Sequence, residues 1–404
     1  MTLIGKCNSS QYHTEAEVVM SESFVNHLDQ NVLTERENER KQDLRSAYYR
    51  DTTAIIHSSP FRRLKHKTQV FFAPSNDHIC TRIEHSLHVA SIASTLSQGL
   101  GLDQELAWAI GMGHDLGHAP FGHVGESILS QLRMDRTQRA FEHELNSLRV
   151  VDFLADNGKG LNLTYAVRDG IVSHNGETFL QSLTPSHERK DFAGITTRSG
   201  IVPATWEGVI VRFSDQIAYL GRDYEDGCRL NIVQAEMLPQ IAVDRLGNSN
   251  SAIIDTLVHD LLTHSSVSDG VGLSDEVFEA VLAMKRFNYE YIYHSPLLKG
   301  YHRYFHRLLS LIVNYLDDLF ITYGFDYPMY ESEKNMLAAG FSNYIRDMAN
   351  SYQQREGGYD NLIIDYVAGM SDTFALDCAD EILKPTHLND DIERSLTGKW
   401  FDVR

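Results

Sequence analysis

Apolar positions recur along this chain with a helical period, and polar runs separate the repeats. Over residues 82–100, Leu87, Ala90, Ile92 or Ala93, and Leu96 fall on one side, which predicts an amphipathic helix with His85 in its first turn. The same spacing predicts helices over 105–110, 126–132, 141–154 and 162–174, the last stopped by Asn175-Gly176. A helix over 50–59 ends before Pro60, because the residue preceding a proline avoids the helical region. Residues 205–226 form a longer helix that starts at Thr205 and Glu207. Beyond residue 235 the pattern stays helical. It has aromatic-rich stretches at 278–293 and 301–320, which read as core, and a last long helix over 361–383. Breaks fall at 248–251, 265–274, Pro328 and Gly357-Gly358. Residues 34–50 are charge-dense and suit a solvated helix or a subunit contact; 68–72 suit a short extended piece, and 74–77 a turn. The polar stretch 181–203 reads as a mobile loop. Strands are minor, and the fold class is all-α.

Composition narrows the function. The 404 residues allow two or three domains, and only nine prolines favour long helices. No apolar run approaches the roughly 20 residues that span a bilayer, and the N-terminus lacks a basic stretch followed by an apolar one. A cytoplasmic protein with no membrane partner is expected. Cys7, Cys80, Cys228 and Cys378 are scattered, which suits reduced thiols and neither a zinc knuckle nor a disulfide framework. The net charge of −19 argues against a broad nucleic-acid surface, so an anionic substrate must be drawn in by a local field. One stretch, 61–68, reverses the sign with four cations in six residues. It reads either as a solvated face or as a functional one.

The chemistry concentrates in residues 112–126, MGHDLGHAPFGHVGE, between two apolar helical patterns. Adjacent residues on a helix point about 100° apart, so one metal ion at the helix end can touch both His114 and Asp115. An imidazole nitrogen and a carboxylate oxygen together suit a divalent ion. The glycines let the chain turn so that His118 and His123 fold back over the same point. The bland alternative is a pair of helix-capping polar groups in a glycine-rich turn. A second signal lies at Asp215, Tyr219 and Asp223, spaced i, i+4 and i+8 on one face of a helix whose Ile210, Val211, Ile217 and Ala218 bury it. Buried carboxylates are rare unless paired or metal-bound.

The adjacent His-Asp pair marks the HD superfamily of metal-dependent phosphohydrolases, and HDLGHAPFGHVGE resembles its deoxynucleoside triphosphate triphosphohydrolases, the dGTPase-like branch. The blocks SSPFRRLKHKTQVF, TRIEHSLHVASIA, FEHELNSLRVV, LNLTYAVRDGIVSHNGE and FSDQIAYLGRDYED resemble the family in its order, and MKRFNYEYIYHS and DYVAGMSDTFA do so more thinly. Arg222 stands where relatives often carry histidine, and Gln216 where some carry a cation. The resemblance implies an N-terminal helical segment over 1–58, an HD-domain helical core over 59–235 and a C-terminal helical lobe over 236–404. It implies hydrolysis of a deoxynucleoside triphosphate to deoxynucleoside and inorganic triphosphate. His85, His114, Asp115 and Asp215 match the metal ligands, for manganese or magnesium first and iron, nickel or zinc next. His123 matches the general acid, with Glu126 on its other nitrogen; His118 would touch an α-phosphate oxygen, and His143 would complete the cluster. Arg82, one turn before His85, would clamp a phosphate, and Lys285 matches a phosphate-binding cation. Tyr219 and Asp223 match the pair at the sugar 3′ hydroxyl, with Tyr293 near the sugar edge. A homo-oligomer and a second nucleotide acting as activator are expected partners, with single-stranded nucleic acid a weaker one. The competing readings are an HD hydrolase of another nucleotide phosphoester, and a nucleotide-sensing or single-strand-binding module with vestigial catalysis.

Overall fold

The computed structural model describes residues 23–72, 78–175 and 179–384. Cys7, the expected turn at 74–77, Gly176 and the tail beyond Lys384 lie outside them. The architecture is all-α. Its only paired strands among the described residues are Ser182–Leu183 and Val271–Gly272, which run antiparallel. No helix among the described residues is long and apolar enough to cross a membrane.

Polar caps set the helix starts. Asp103 accepts from the N–H groups of Glu105 and Leu106 to open Gln104–Gly113, and Thr205 accepts from Gly208 N–H to open Trp206–Arg229. Glu84 reaches back to the Thr81 N–H at 2.8 Å and so fixes the start of Arg82–Gly99. These three helices pack together in one core with Tyr165–Ser173. Arg82–Gly99 and Gln104–Gly113 cross closely at Gly111, where a Cβ would lie 2.7 Å from the Ala90 Cα. That approach brings the His85 end of one helix to the His114 end of the other. Residues 236–292 join this first core through Leu246, Ile253, Leu257, Val281, Met284 and Ile292.

A second core forms where Pro296–Tyr323 lays its apolar stripe, from Phe305 to Leu319, among Met336–Glu356, Leu362–Ala368 and Asp372–Leu383. Ile128 and Leu129 of Gly122–Thr137 belong to it, as do Ala119 and Phe121 of the loop before that helix. The histidine-rich turn therefore has one wall in each core.

Four expectations change. The helix expected over 361–383 breaks at Gly369: Leu362–Ala368 ends there, and Ser371 caps a new helix by accepting from Phe374 N–H. Pro60 does not only end a helix. It sits in the first turn of the next, Ser59–Arg63, where its missing N–H has no partner to lose. Residues 34–46 carry no helix beyond Leu33; instead Arg36 donates to Asp51 at 2.5 Å and to the Asn162 carbonyl at 2.6 Å, and Arg40 donates to the Leu161 carbonyl. Residues 181–203 are tied down by the short strand pair and by Arg198, whose N–H donates to Glu142 at 2.6 Å and whose guanidinium donates to Glu144 at 3.1 Å. The basic stretch 61–68 matches neither expectation fully. Arg62, Arg63, Lys65 and His66 are exposed, Arg63 donating to the Gly369 carbonyl at 2.8 Å, while Lys67 is buried against the Ala368 and His118 carbonyls. Cations at the C-terminal end of Leu362–Ala368 also meet the negative pole of its dipole.

Candidate active site

Four side chains from three helical segments converge under the histidine-rich turn. His85 Nε2 lies 2.9 Å from Asp215 Oδ1 and 3.9 Å from Asp115 Oδ2; His114 Nε2 lies 3.6 Å from Asp115 Oδ1 and 3.9 Å from Asp215 Oδ1. Ligands held at about 2.0–2.2 Å from one ion stand about 3 Å or more apart. The ligand atoms of His85, His114 and Asp215 lie within 4.8 Å of one another and could hold one ion, and Asp115 flanks this trio, offering a different oxygen to each histidine. The tautomer agrees. His114 Nδ1–H donates to the Gly111 carbonyl at 2.7 Å, which leaves a bare lone pair on Nε2. That atom is buried and has no protein partner. Two imidazoles and two carboxylates fit a divalent cation and would balance its charge.

Charge follows from the neighbours. Burial lowers the pKa of His114 to about 4, so its Nε2 stays unprotonated. Burial opposes ionisation of Asp115, but His114, Arg82 and His118 outweigh it and hold the carboxyl well below its ordinary range. Arg82 is fully buried. It donates to Asp115 Oδ2 at 2.7 Å, to the Thr68 carbonyl at 3.1 Å and to the Gln69 carbonyl at 3.3 Å. Its guanidinium is thus turned onto a carboxylate and two carbonyls, which aim Asp115.

A second cluster lies beside the first. Glu126 accepts from the His143 ring at 3.0 Å and from the His143 backbone N–H at 2.9 Å, and it stands 3.3 Å from His123 Nδ1. Burial works against a charged His143, yet Glu126 and Glu144 outweigh it and push its pKa up to about 10. The His143 Nε2–H then donates to His174 Nε2 at 3.3 Å, because His174 Nδ1–H already donates to the Ile171 carbonyl at 2.6 Å. Burial and the His143 charge lower the pKa of His174. The His118 ring stacks on His143 at 4.0 Å, with its Nδ1 buried and unpartnered. Burial and the Arg82 charge hold its pKa well below the ordinary value. His174 was not singled out by sequence reasoning, although it ends a helix pattern whose stripe points it inward.

His123 and Glu126 open onto a cleft of about 1460 Å³. Tyr219, Asp223, Lys285 and Tyr293 line the same cleft. Asp223 and Tyr293 are joined, the phenol donating to Asp223 Oδ2 at 2.5 Å. Burial pushes the Asp223 carboxyl up to about 7. Lys285 Nζ sits 4.1 Å from the centroid of Phe179, and the Tyr219 ring meets the same Phe179 edge-on at 6.1 Å. Phe179 is a further site-side residue that carried no sequence signal, being one aromatic in a polar segment. Arg82 and the four groups of the buried quartet are not among the residues that line this cleft.

Comparison with known proteins gives the family. The family model of the HD domain matches residues 82–219, and that of the phosphohydrolase-associated domain matches residues 271–381. Together they define a hydrolase of the HD class. The deoxyguanosinetriphosphate triphosphohydrolase-like protein of Caldanaerobacter subterraneus subsp. tengcongensis is 36% identical over 348 residues, 86% of this chain and 88% of its own length. The protein of that name from Desulfatibacillum aliphaticivorans is 35% identical over 85% of this chain and 89% of its own, and that from Clostridium tetani 33% identical over 84% and 86%. The chain belongs to the dGTPase-like triphosphohydrolase family of HD-domain proteins. A crystal structure of a hypothetical protein from Aquifex aeolicus is 18% identical, with a TM-score of 0.41 over 87% of this chain and 72% of that one.

Proposed function

We propose that this chain hydrolyses deoxynucleoside triphosphates to deoxynucleoside and inorganic triphosphate. The observation that carries the reading is a single helix face. Asp215 belongs to the buried quartet, while Tyr219 and Asp223, one and two turns on, line the cleft. The distance from Asp215 to Asp223 along the helix is about 12 Å at 1.5 Å per residue, which suits the span from an α-phosphate to the far edge of a deoxyribose.

The buried quartet of His85, His114, Asp115 and Asp215 would hold a divalent ion, manganese or magnesium first. When bound, such an ion supplies Lewis acidity at a phosphate oxygen and lowers the pKa of a water. The rest falls to the chain. A water oxygen forms the new bond to the α-phosphorus as that water gives up a proton to solvent, and the bond from the phosphorus to the sugar 5′ oxygen breaks. That oxygen is a poor leaving group, so His123 gives it a proton and Glu126 steadies the imidazole from its other nitrogen. His118 would donate to an α-phosphate oxygen, and His143, charged and paired with Glu126, holds the carboxylate in place. Arg82 aims Asp115 and adds positive potential near the phosphate. Lys285 would meet the outer phosphates. Asp223 would accept from the 3′ hydroxyl, while Tyr219 closes the space beneath the 2′ carbon and excludes a ribose by contact. Tyr293 fixes Asp223.

The test is incubation with each of the four deoxynucleoside triphosphates, alone and mixed, with manganese or magnesium, and separation of products by ion exchange. Inorganic triphosphate is expected. Orthophosphate or a nucleoside monophosphate as first product would move the chain to a different HD phosphoesterase.

A further inference from the structure

The loop that joins the His114–Asp115 pair to His123 is held from outside. Phe121 precedes the helix Gly122–Thr137 with φ of 65°, a left-handed conformation unfavourable for a residue with a Cβ, and its side chain makes no cap hydrogen bond. Gly122 follows at φ of 60°, and a Cβ there would lie 2.9 Å from the Gln69 carbonyl oxygen. Something must keep this turn in place. The Phe121 N–H donates to Asp372 Oδ1 at 2.8 Å. The other oxygen of Asp372 accepts from the Thr68 N–H at 2.9 Å and from the Thr68 hydroxyl. At the other end of the loop, the His118 carbonyl accepts from Lys67, which also donates to the Ala368 carbonyl at 2.8 Å. The Phe121 ring stacks on Phe305 at 4.0 Å. Each of these three contacts reaches the part of the chain beyond residue 296. Asp372 and Lys67 are buried and form no part of the cleft wall.

We propose that Asp372 and Lys67 are positioning residues that lock the left-handed turn at Phe121 and so fix the direction from which His123 meets the leaving oxygen. The inference rests on His123 acting as the general acid. It makes the C-terminal helices part of the reaction's geometry without giving them contact with substrate. Misplacing a reacting group by about an ångström costs on the order of 10²-fold in rate, so small slack in this loop is enough.

The test uses the full chain loaded with manganese, with kcat and KM for a hydrolysed deoxynucleoside triphosphate, metal content and melting temperature read together. Asp372→Ala is expected to lower kcat by roughly 10- to 10²-fold with KM and metal content little changed. Asp372→Asn keeps an acceptor for the Phe121 N–H and should recover most of the rate. In a His123→Ala background, Asp372→Ala should cost nothing further, since the group it positions is gone. Lys67→Met, close in shape, should fold and lower kcat in the same way. A purely structural role predicts a lower melting temperature with kcat per folded chain unchanged, or equal losses with and without His123; either result overturns the proposal. If Asp372→Ala does not fold, Lys67→Met decides, and a folded Lys67→Met with wild-type kcat overturns it. Hydrogen exchange at the Phe121 amide, slow in wild type and in Asp372→Asn and fast in Asp372→Ala, reports the pin without reference to turnover; exchange in Asp372→Ala as slow as in wild type overturns it. A His123→Ala variant with wild-type turnover removes the acid assignment itself. An impaired His123→Ala beside normal Asp372→Ala and Lys67→Met removes this inference alone.

Discussion

Asp215 and Asp223 lie two turns apart on one face of Trp206–Arg229, both buried, and their carboxyls move in opposite directions. Burial penalises the charge at each. At Asp215 the hydrogen bond and charge of His85, with His114 and His174 beyond, outweigh it, and the pKa is lowered. At Asp223 the partner is a phenol, burial prevails and the pKa rises to about 7. The helix sets where the two groups point. The helices packed against it decide which carboxyl is held ionised and which titrates near neutrality.

The harshest way to break the comparison is at the anionic end. Asp115→Ala should abolish metal binding and turnover with the helical signal in circular dichroism intact. Chelation of the wild type should do the same reversibly. Metal at a hundred times its dissociation constant should add about 2.7 kcal/mol of stability and raise the melting temperature, and Asp115→Ala should not respond. Full turnover in metal-stripped protein would sink the assignment of the quartet. Next in size is His123→Ala, for which a kcat loss on the order of 10²–10⁴-fold is expected with metal content retained. Glu126→Gln should be milder on turnover, because glutamine still offers an oxygen to His143.

Why the anionic end was legible in the sequence and the rest was not follows from how each contact is made. His114, Asp115, His118 and His123 are near neighbours in the chain, so their convergence is a local property of a helix end and a turn. His85 and Asp215 come from distant helices; the i, i+4, i+8 face marked Asp215 as a buried carboxylate, but only the resemblance joined it and His85 to the His114–Asp115 pair. The helices read over 82–100, 105–110 and 205–226 could be seen because apolar positions recur in each. The break at Gly369 could not, because an apolar stripe runs through it; the carbonyls there are met by Arg63 and Lys67, which come from about 300 residues away. Asp372 is invisible for the same reason: its value lies in a bond to Phe121 N–H that no spacing encodes. The arginines of 34–46 look solvated by composition, yet Arg36 and Arg40 turn inward to carbonyls.

A smaller effect is expected at the cleft end. If Asp223 accepts from a 3′ hydroxyl, a dideoxynucleotide leaves one acceptor site of this buried carboxyl unfilled beside its bond to Tyr293, at roughly 1–3 kcal/mol, or about 5- to 150-fold in kcat/KM. Tyr219→Ala should relax the barrier to ribonucleotides with little change for deoxynucleotides. Hydrolysis of GTP as fast as dGTP by the wild type would show that the sugar pocket is misassigned.

The smallest effect, and the one that bears most directly on the contrast between the two carboxyls, is a pH dependence at Asp223. Its folded pKa, about 7, lies above the unfolded value near 3.8, so the folded state binds the extra proton between them. The stability this group contributes is therefore fully present below about pH 4 and is lost as pH rises through about 7. The groups that act on it are Tyr293, His85, Asp226 and His123. Asp223→Asn cannot ionise and removes that slope. The melting temperature of the variant, measured against wild type from pH 5 to pH 8, should gain on the wild type as pH rises. Activity adds a second reading. The ionised carboxylate accepts from Tyr293 and from a 3′ hydroxyl at once, and charge-assisted bonds are the stronger ones. The preference for dGTP over its dideoxy analogue should grow between pH 6 and pH 8. A preference that is flat over that range, together with an unchanged melting difference, would place Asp223 with Asp215 as an ordinary anion and erase the contrast between the two ends of the helix.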